Sequence, residues 1–287
     1  MKILLLGHKG MLGTDLLSQM RLHHEVVGMD QDEIDITSAA DCVKAIEGIV
    51  PQIVINAAAY TNVDGCETAK ENCFAVNAEA VKNIAAACQN KNIRIVHFST
   101  DYVFNGNGSS PYREDENCDP INTYGASKLA GEQYLQAQAR NYIIIRTAWL
   151  YGANGKNFVR TIMEKAKTTP KLKVVDDQVG SPTHTKDLAA AVDHLIEKNA
   201  QGIFHVTNRG SCSWYQFAVK ILQESGIENV EVSPIKSDQL VRAAKRPANS
   251  VMSMQKFIAT TGMAMQPWQL ALKDYLENIK SRLHTST

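Results

Sequence analysis

The sequence predicts an α/β protein with a doubly wound parallel sheet and a second, smaller substrate-binding domain. Three observations lead there. Compact apolar runs alternate with longer helical stretches through the first half of the chain. A glycine-rich segment, Gly7-His8-Lys9-Gly10-Met11-Leu12-Gly13, lies between the first run and the first helix. Later, Tyr124 precedes Lys128 by one helical turn, which puts phenol and ammonium on one face.

The runs Lys2–Leu6, Glu25–Met29, Gln52–Asn56, Arg94–Ser99 and Tyr142–Thr147 are rich in Val and Ile and lack polar alternation. That pattern suits parallel strands covered on both faces. Between them, Met11–Leu22, Ala39–Ile49, Glu71–Asn90 and Ser127–Ala139 read as helices, so the first half is Rossmann-type with right-handed crossovers. After Tyr151 the pattern loosens. Helices are expected at Asn157–Thr168, Lys186–Lys198, Ser213–Ser225 and Trp268–Leu283, the last introduced by Pro267. Strands are expected at Lys171–Val175 and Gly202–Thr207. The dinucleotide-binding domain is therefore assigned to 1–150, rejoined by about 183–207, and the smaller domain to 151–182 and 208–287.

Composition bounds the function. In 287 residues, 30 Lys and Arg balance 30 Asp and Glu, so nothing suggests nucleic acid or an anionic membrane as a partner. Six cysteines form no Cys-x-x-Cys pair and eight histidines no His-Glu-x-x-His, so neither a disulfide framework nor a metal centre is expected. The apolar start is too short for a signal segment or a membrane span, and a cytoplasmic protein is the expectation.

The glycine-rich turn would rest a dinucleotide pyrophosphate on the N-terminus of the first helix. Its spacing is Gly-x-x-Gly-x-x-Gly. Asp30, ending the second strand, is placed to bind an adenosine ribose hydroxyl, which favours NADH, whereas His8 and Lys9 would offset its charge and admit NADPH. Asp35 and Ile36 are positioned to flank the adenine, and the small Ala57, Ala58 and Ala59 leave room for ribose or pyrophosphate. At the end of the fourth strand, Thr100 is suited to bonding a substrate carbonyl and Asp101 a sugar hydroxyl. Tyr124 reads as the proton donor, its pKa lowered by Lys128. Asn77, inside a helix, faces either a proton relay or solvent.

The strings Ser99-Thr100-Asp101-Tyr102-Val103-Phe104-Asn105-Gly106, Pro120-Ile121-Asn122-Thr123-Tyr124-Gly125, Arg146-Thr147-Ala148-Trp149-Leu150-Tyr151-Gly152 and Asp177-Gln178-Val179-Gly180-Ser181-Pro182-Thr183 carry a resemblance. Over nearly its whole length the chain resembles the extended short-chain dehydrogenase/reductase superfamily, and within it the reductases that form dTDP-L-rhamnose. The resemblance implies NADPH- or NADH-dependent reduction of the C4 ketone of dTDP-4-dehydro-6-deoxy-L-mannose, with Thr100, Tyr124 and Lys128 as the catalytic set. It implies cofactor contacts at Gly7, Gly10, Met11, Leu12, Asp30, Asp35, Ile36, Ala57, Ala58, Ala59, Phe98, Tyr124 and Lys128. Substrate contacts would be Thr100, Asp101, Trp149 and Arg246, the arginine taking the nucleotide diphosphate or forming a surface salt bridge. Some members form metal-linked dimers through acidic residues; Asp15 suits that role, but Lys186 argues against it, and a homodimer stays open. Two other readings also stay open: a nucleotide-sugar 4-epimerase or 4,6-dehydratase, and a regulatory subunit like that of methionine adenosyltransferase.

Overall fold

A computed structural model describes residues 1–89 and 91–284. Asn90, where the sequence ends the helix from Glu71, lies outside them. Six strands, β1 (Lys2–Leu6), β2 (Glu25–Met29), β3 (Ile53–Asn56), β4 (Arg94–Thr100), β5 (Tyr142–Thr147) and β6 (Gly202–His205), form one parallel sheet. Their order is β6-β5-β4-β3-β1-β2. The chain winds outward from β1 in both directions, so a crevice opens at the carboxyl ends of β1 and β3.

Successive strand residues point to opposite faces, and both faces are covered. Ile3, Leu5, Ile53, Ile55, Val96, Ile143 and Ile145 pack with Leu12 and Leu16 of the first helix and with Leu188, Val192 and Leu195 of helix Thr185–Glu197. Leu4, Leu6, Val54, Ile95 and Ile144 pack on the other side with Cys42, Ile46, Val81, Ile84 and Leu135. This two-sided burial is why the runs lacked polar alternation. A separate core joins Tyr151, Val159, Ile162, Leu172, Phe217, Trp268 and Tyr275. Phe257 and Met265, by contrast, pack into the sheet's core.

Several short elements escaped the sequence reading. Helix Val63–Thr68 is too short to display a period, and its start is set by the Asn62 side chain accepting from the Gly65 amide. Strand Glu231–Ile235 contains Pro234 and pairs in parallel with Lys171–Val175 at the edge of a two-stranded sheet. Helix Gln255–Thr261 was also missed. The helix carrying Tyr124 begins at Thr123, four residues before the expected Ser127, because Asn122 caps it through the Gly125 amide at 2.8 Å.

One buried network fastens that helix to the sheet. Glu132, fully buried, accepts from Arg146 of β5 at 2.7 Å (Nη2 to Oε2) and 3.0 Å (Nε to Oε1). Ser99 of β4 donates its hydroxyl to the same carboxylate. Removing one partner of such a pair strands the other charge in low dielectric. Glu132→Ala is therefore expected to lower unfolding free energy by about 3–5 kcal/mol in urea titration. A loss below about 1 kcal/mol, the range of exposed pairs, would show the network to be dispensable.

Candidate active site

The glycine turn fits a dinucleotide in its backbone geometry. Gly7 sits at φ +78°, and a Cβ there would meet the Ala58 amide nitrogen at 2.7 Å. A Cβ on Gly13 would collide with the Gly7 carbonyl oxygen, which is why the first helix can approach the turn so closely. Gly10 is the N-cap of helix Met11–Met20 and supplies no side-chain cap, so the first-turn amides are left for an anion. Leu12 itself is buried in the core, leaving only its backbone to face a ligand, and Phe98 is buried there too. Met11 is half-buried and borders Gly152 and Gly155.

Asp30 ties the turn together: its carboxylate accepts the Lys9 amide and the Gln31 amide, each at 2.9 Å. Lys9 spends its charge on Asp32 at 2.7 Å, rather than standing free beside Asp30. Exposed Asp35 accepts from the amide and hydroxyl of Thr37, which hold its carboxyl below the usual range. Ile36 and Ala57–Ala59 are half-buried, Ile36 against the core of Leu4 and Val54 and Ala57 against that of Ile3 and Leu5.

At the end of β4, Thr100 donates to Asp101 at 3.0 Å and accepts the Tyr102 amide at 3.2 Å. The Tyr102 ring meets the Tyr124 ring edge-on, centroids 5.9 Å apart. Burial, then the Asp101 carboxylate, pushes the Tyr124 phenol up, partly opposed by a hydrogen bond with Thr100. The expected lowering by Lys128 is corrected here, because that amine is not among the leading influences on the phenol and instead faces His97 at 3.5 Å. Burial lowers Lys128 itself to about 8. A phenol with a raised pKa is fully protonated at neutral pH, which is the state a donor needs.

Asn77 is 1% exposed, which removes the solvent-facing alternative. It lies in a π-turn, Ala75–Glu79, inside the helical stretch 70–88. Its Oδ1 accepts the Tyr60 amide at 2.9 Å, and its Nδ2 donates to the Tyr60 carbonyl and the Ser127 hydroxyl, both at 3.0 Å. It thus braces the helix of Tyr124 beside Lys128.

Arg246 makes a bidentate pair with Asp64 at 2.6 and 2.7 Å, which holds the Asp64 carboxyl down to about 2. Tyr102 and Arg242 both lie close enough to act on Arg246. Trp149 adopts φ +50°, rare for a bulky side chain, and stacks on Trp214 with centroids 3.5 Å apart and planes 6° from parallel. Gly180 lies beneath that ring, where a Cβ would clash. Arg242, Asp64, Trp214 and His97 were not singled out from sequence; only their placement reveals them. Asp15 accepts from Thr185. Among the described residues, no group of three or more His, Cys, Asp or Glu side chains could hold a metal. No described helix is long and apolar enough to cross a membrane.

A family model described as the RmlD substrate binding domain matches residues 1–281. The spore coat polysaccharide biosynthesis protein SpsK of Bacillus subtilis is 40% identical over 281 residues, covering 98% of both chains. A dTDP-4-dehydrorhamnose reductase structure from Clostridium acetobutylicum superposes with TM-score 0.95 and 42% identity, covering 98% of this chain and 100% of the other. Another from Bacillus anthracis, in complex with NADP, gives TM-score 0.94 and 36% identity, covering 96% and 99%.

Burial pushes Asp101 up to about 6, opposed in part by hydrogen bonds from Ser250 and Thr100. A carboxyl raised on folding binds its proton more tightly in the native state, so its contribution to stability falls as pH rises from about 4 to about 6. Asp101→Asn removes that loss. Its stability relative to the parent is expected to be more favourable at pH 8 than at pH 5 by chemical denaturation; an equal difference at both pH values would contradict it.

Proposed function

We infer that this chain, which belongs to the RmlD substrate binding domain family, is an NADPH- or NADH-dependent reductase of the C4 ketone of dTDP-4-dehydro-6-deoxy-L-mannose, forming dTDP-L-rhamnose. The carrying observation is that Thr100, at the carboxyl end of β4, meets Tyr124, while Lys128, one turn further along the same helix, meets His97 of that strand.

The residues of the turn would hold the pyrophosphate through the Met11 and Leu12 amides, with Asp30 at the adenosine ribose and Asp35 and Ile36 near the adenine. When bound, the nicotinamide supplies the hydride that reduces C4. Tyr124 donates the proton to the former carbonyl oxygen. Thr100, which donates to Asp101 at 3.0 Å, would orient the reacting carbon by turning its hydroxyl toward the ketone. Asp101 and Trp149 would line the sugar, the tryptophan plane backed by Trp214. Arg246, oriented by its pair with Asp64, would take the diphosphate, with Arg242 beside it. We read 1–150 with about 183–207 as the cofactor unit and 151–182 with 208–287 as the substrate unit, except that Phe257 and Met265 pack with the former.

Dehydratases of the superfamily place Asp-Glu after the threonine, whereas Asp101 is followed here by Tyr102. No described observation supplies the second acid–base pair that elimination needs. Six free cysteines fit a reducing cytoplasm. A homodimer can be checked by light scattering.

Tyr124→Phe is expected to reduce kcat at least about a hundredfold while leaving the dissociation constant for NADPH within a few-fold, by stopped-flow absorbance and fluorescence titration. Parent-like turnover in that variant would remove the phenol from the chemistry. Arg246→Ala should raise KM for the keto sugar about tenfold or more with little change in cofactor affinity. An unchanged KM would return Arg246 to a purely structural salt bridge.

A further inference from the structure

Behind Lys128 lies a buried polar chain that the reaction as described does not use. Asn56, His97 and Lys128 are 1%, 1% and 2% exposed. Asn56 ends β3 and His97 lies opposite it in β4, in register. Asn56 Oδ1 accepts the Ala58 amide at 3.2 Å. That contact fixes the orientation of the side-chain amide, so the group facing His97 Nδ1 at 3.3 Å is the NH2, which only donates. His97 Nδ1 must therefore accept, and a neutral imidazole then carries its proton on Nε2. Nε2 lies 3.5 Å from Lys128 Nζ.

An ammonium presents only N–H groups to that Nε2–H, whereas a neutral amine presents a lone pair to receive it. We propose that His97, locked in its Nε2–H tautomer by Asn56, is a positioning residue that holds the Lys128 amine and favours its neutral form over the ammonium. This rests on the reductase reading, since the kinetic test reads turnover of the ketone.

The other groups around the amine do not substitute for this contact. Glu132, one turn further along the same helix, is held by Arg146 and Ser99. Cys73, from helix Lys70–Phe74, bonds the Ser127 hydroxyl at 3.2 Å. Burial and the nearby Lys128 keep the His97 imidazole well below its ordinary pKa, so it stays neutral. Burial likewise brings Lys128 down to about 8, within reach of both protonation states.

Two measurements decide it. In 15N spectra of histidine-labelled protein at pH 7, His97 is expected to be protonated at Nε2 and bare at Nδ1. This needs no variant and no turnover. In Asn56→Asp the carboxylate can accept where the amide donated, so the proton should move to Nδ1 and Nε2 become an acceptor for the ammonium. The alkaline limb of the kcat–pH profile should then move up by about one pH unit or more, with KM for the keto sugar within twofold. His97→Gln should lower kcat with little change in KM. A parent protein protonated at Nδ1, or an alkaline limb unmoved in Asn56→Asp, would overturn the proposal. A parent enzyme that does not turn over the ketone would sink the reductase reading instead, and the tautomer spectrum would still decide the role of His97.

Discussion

The buried contact among Glu132, Arg146 and Ser99 is the constraint on which the site's geometry depends. It joins the helix of Tyr124 and Lys128 to β4 one residue before Thr100 and to β5 one residue before Thr147. Such a pair gains little over a well-packed apolar replacement, since desolvation offsets most of its attraction. What it supplies is position: a carboxylate with three donors in fixed directions tolerates few helix placements. Gly131 tightens the same seam, because a Cβ there would strike the Asn77 carbonyl oxygen. The phenol and amine of Tyr124 and Lys128 inherit their placement from this anchoring.

Fixing the helix also decides the electrostatics. The amine of Lys128 is lowered by burial, opposed in part by the charges of Glu132 and Cys73, and it faces His97. With Lys128 turned that way, Tyr124 answers to Asp101 and Thr100. Tyr124 and Lys128, one turn apart, are thus divided between two polar neighbourhoods. One is formed by Thr100 and Asp101; the other by Asn56 and His97. The protein keeps each side at a different readiness to give up a proton.

The substrate side shows a related economy. Asp64 neutralises Arg246 where a diphosphate is proposed to bind, and Trp214 backs the strained Trp149. Both arrangements preset a side chain that would otherwise lose conformational freedom on binding. Strain at Trp149 is held by its contacts with Trp214 and Gly180.

How much of this could be read from the chain alone depended on whether the signal was local. The strands of the first half were legible because parallel strands buried on both faces need continuous apolar runs, and the glycine turn because only glycine fits at Gly7 and Gly13. Thr100, Tyr124 and Lys128 were legible from motif and helical spacing. His97 was hidden inside an apolar run, where its register against Asn56 could not be counted from sequence. Arg242 and Trp214 likewise lie far along the chain from the residues they meet. The sequence by itself determined the layers of the fold and the placing of Tyr124 and Lys128 one helical turn apart, since periodicity and backbone sterics act over a few residues. Only tertiary structure decided which charge faces which, because burial and pairing across strands, rather than spacing along a helix, set the protonation of Tyr124, Lys128 and Asp101.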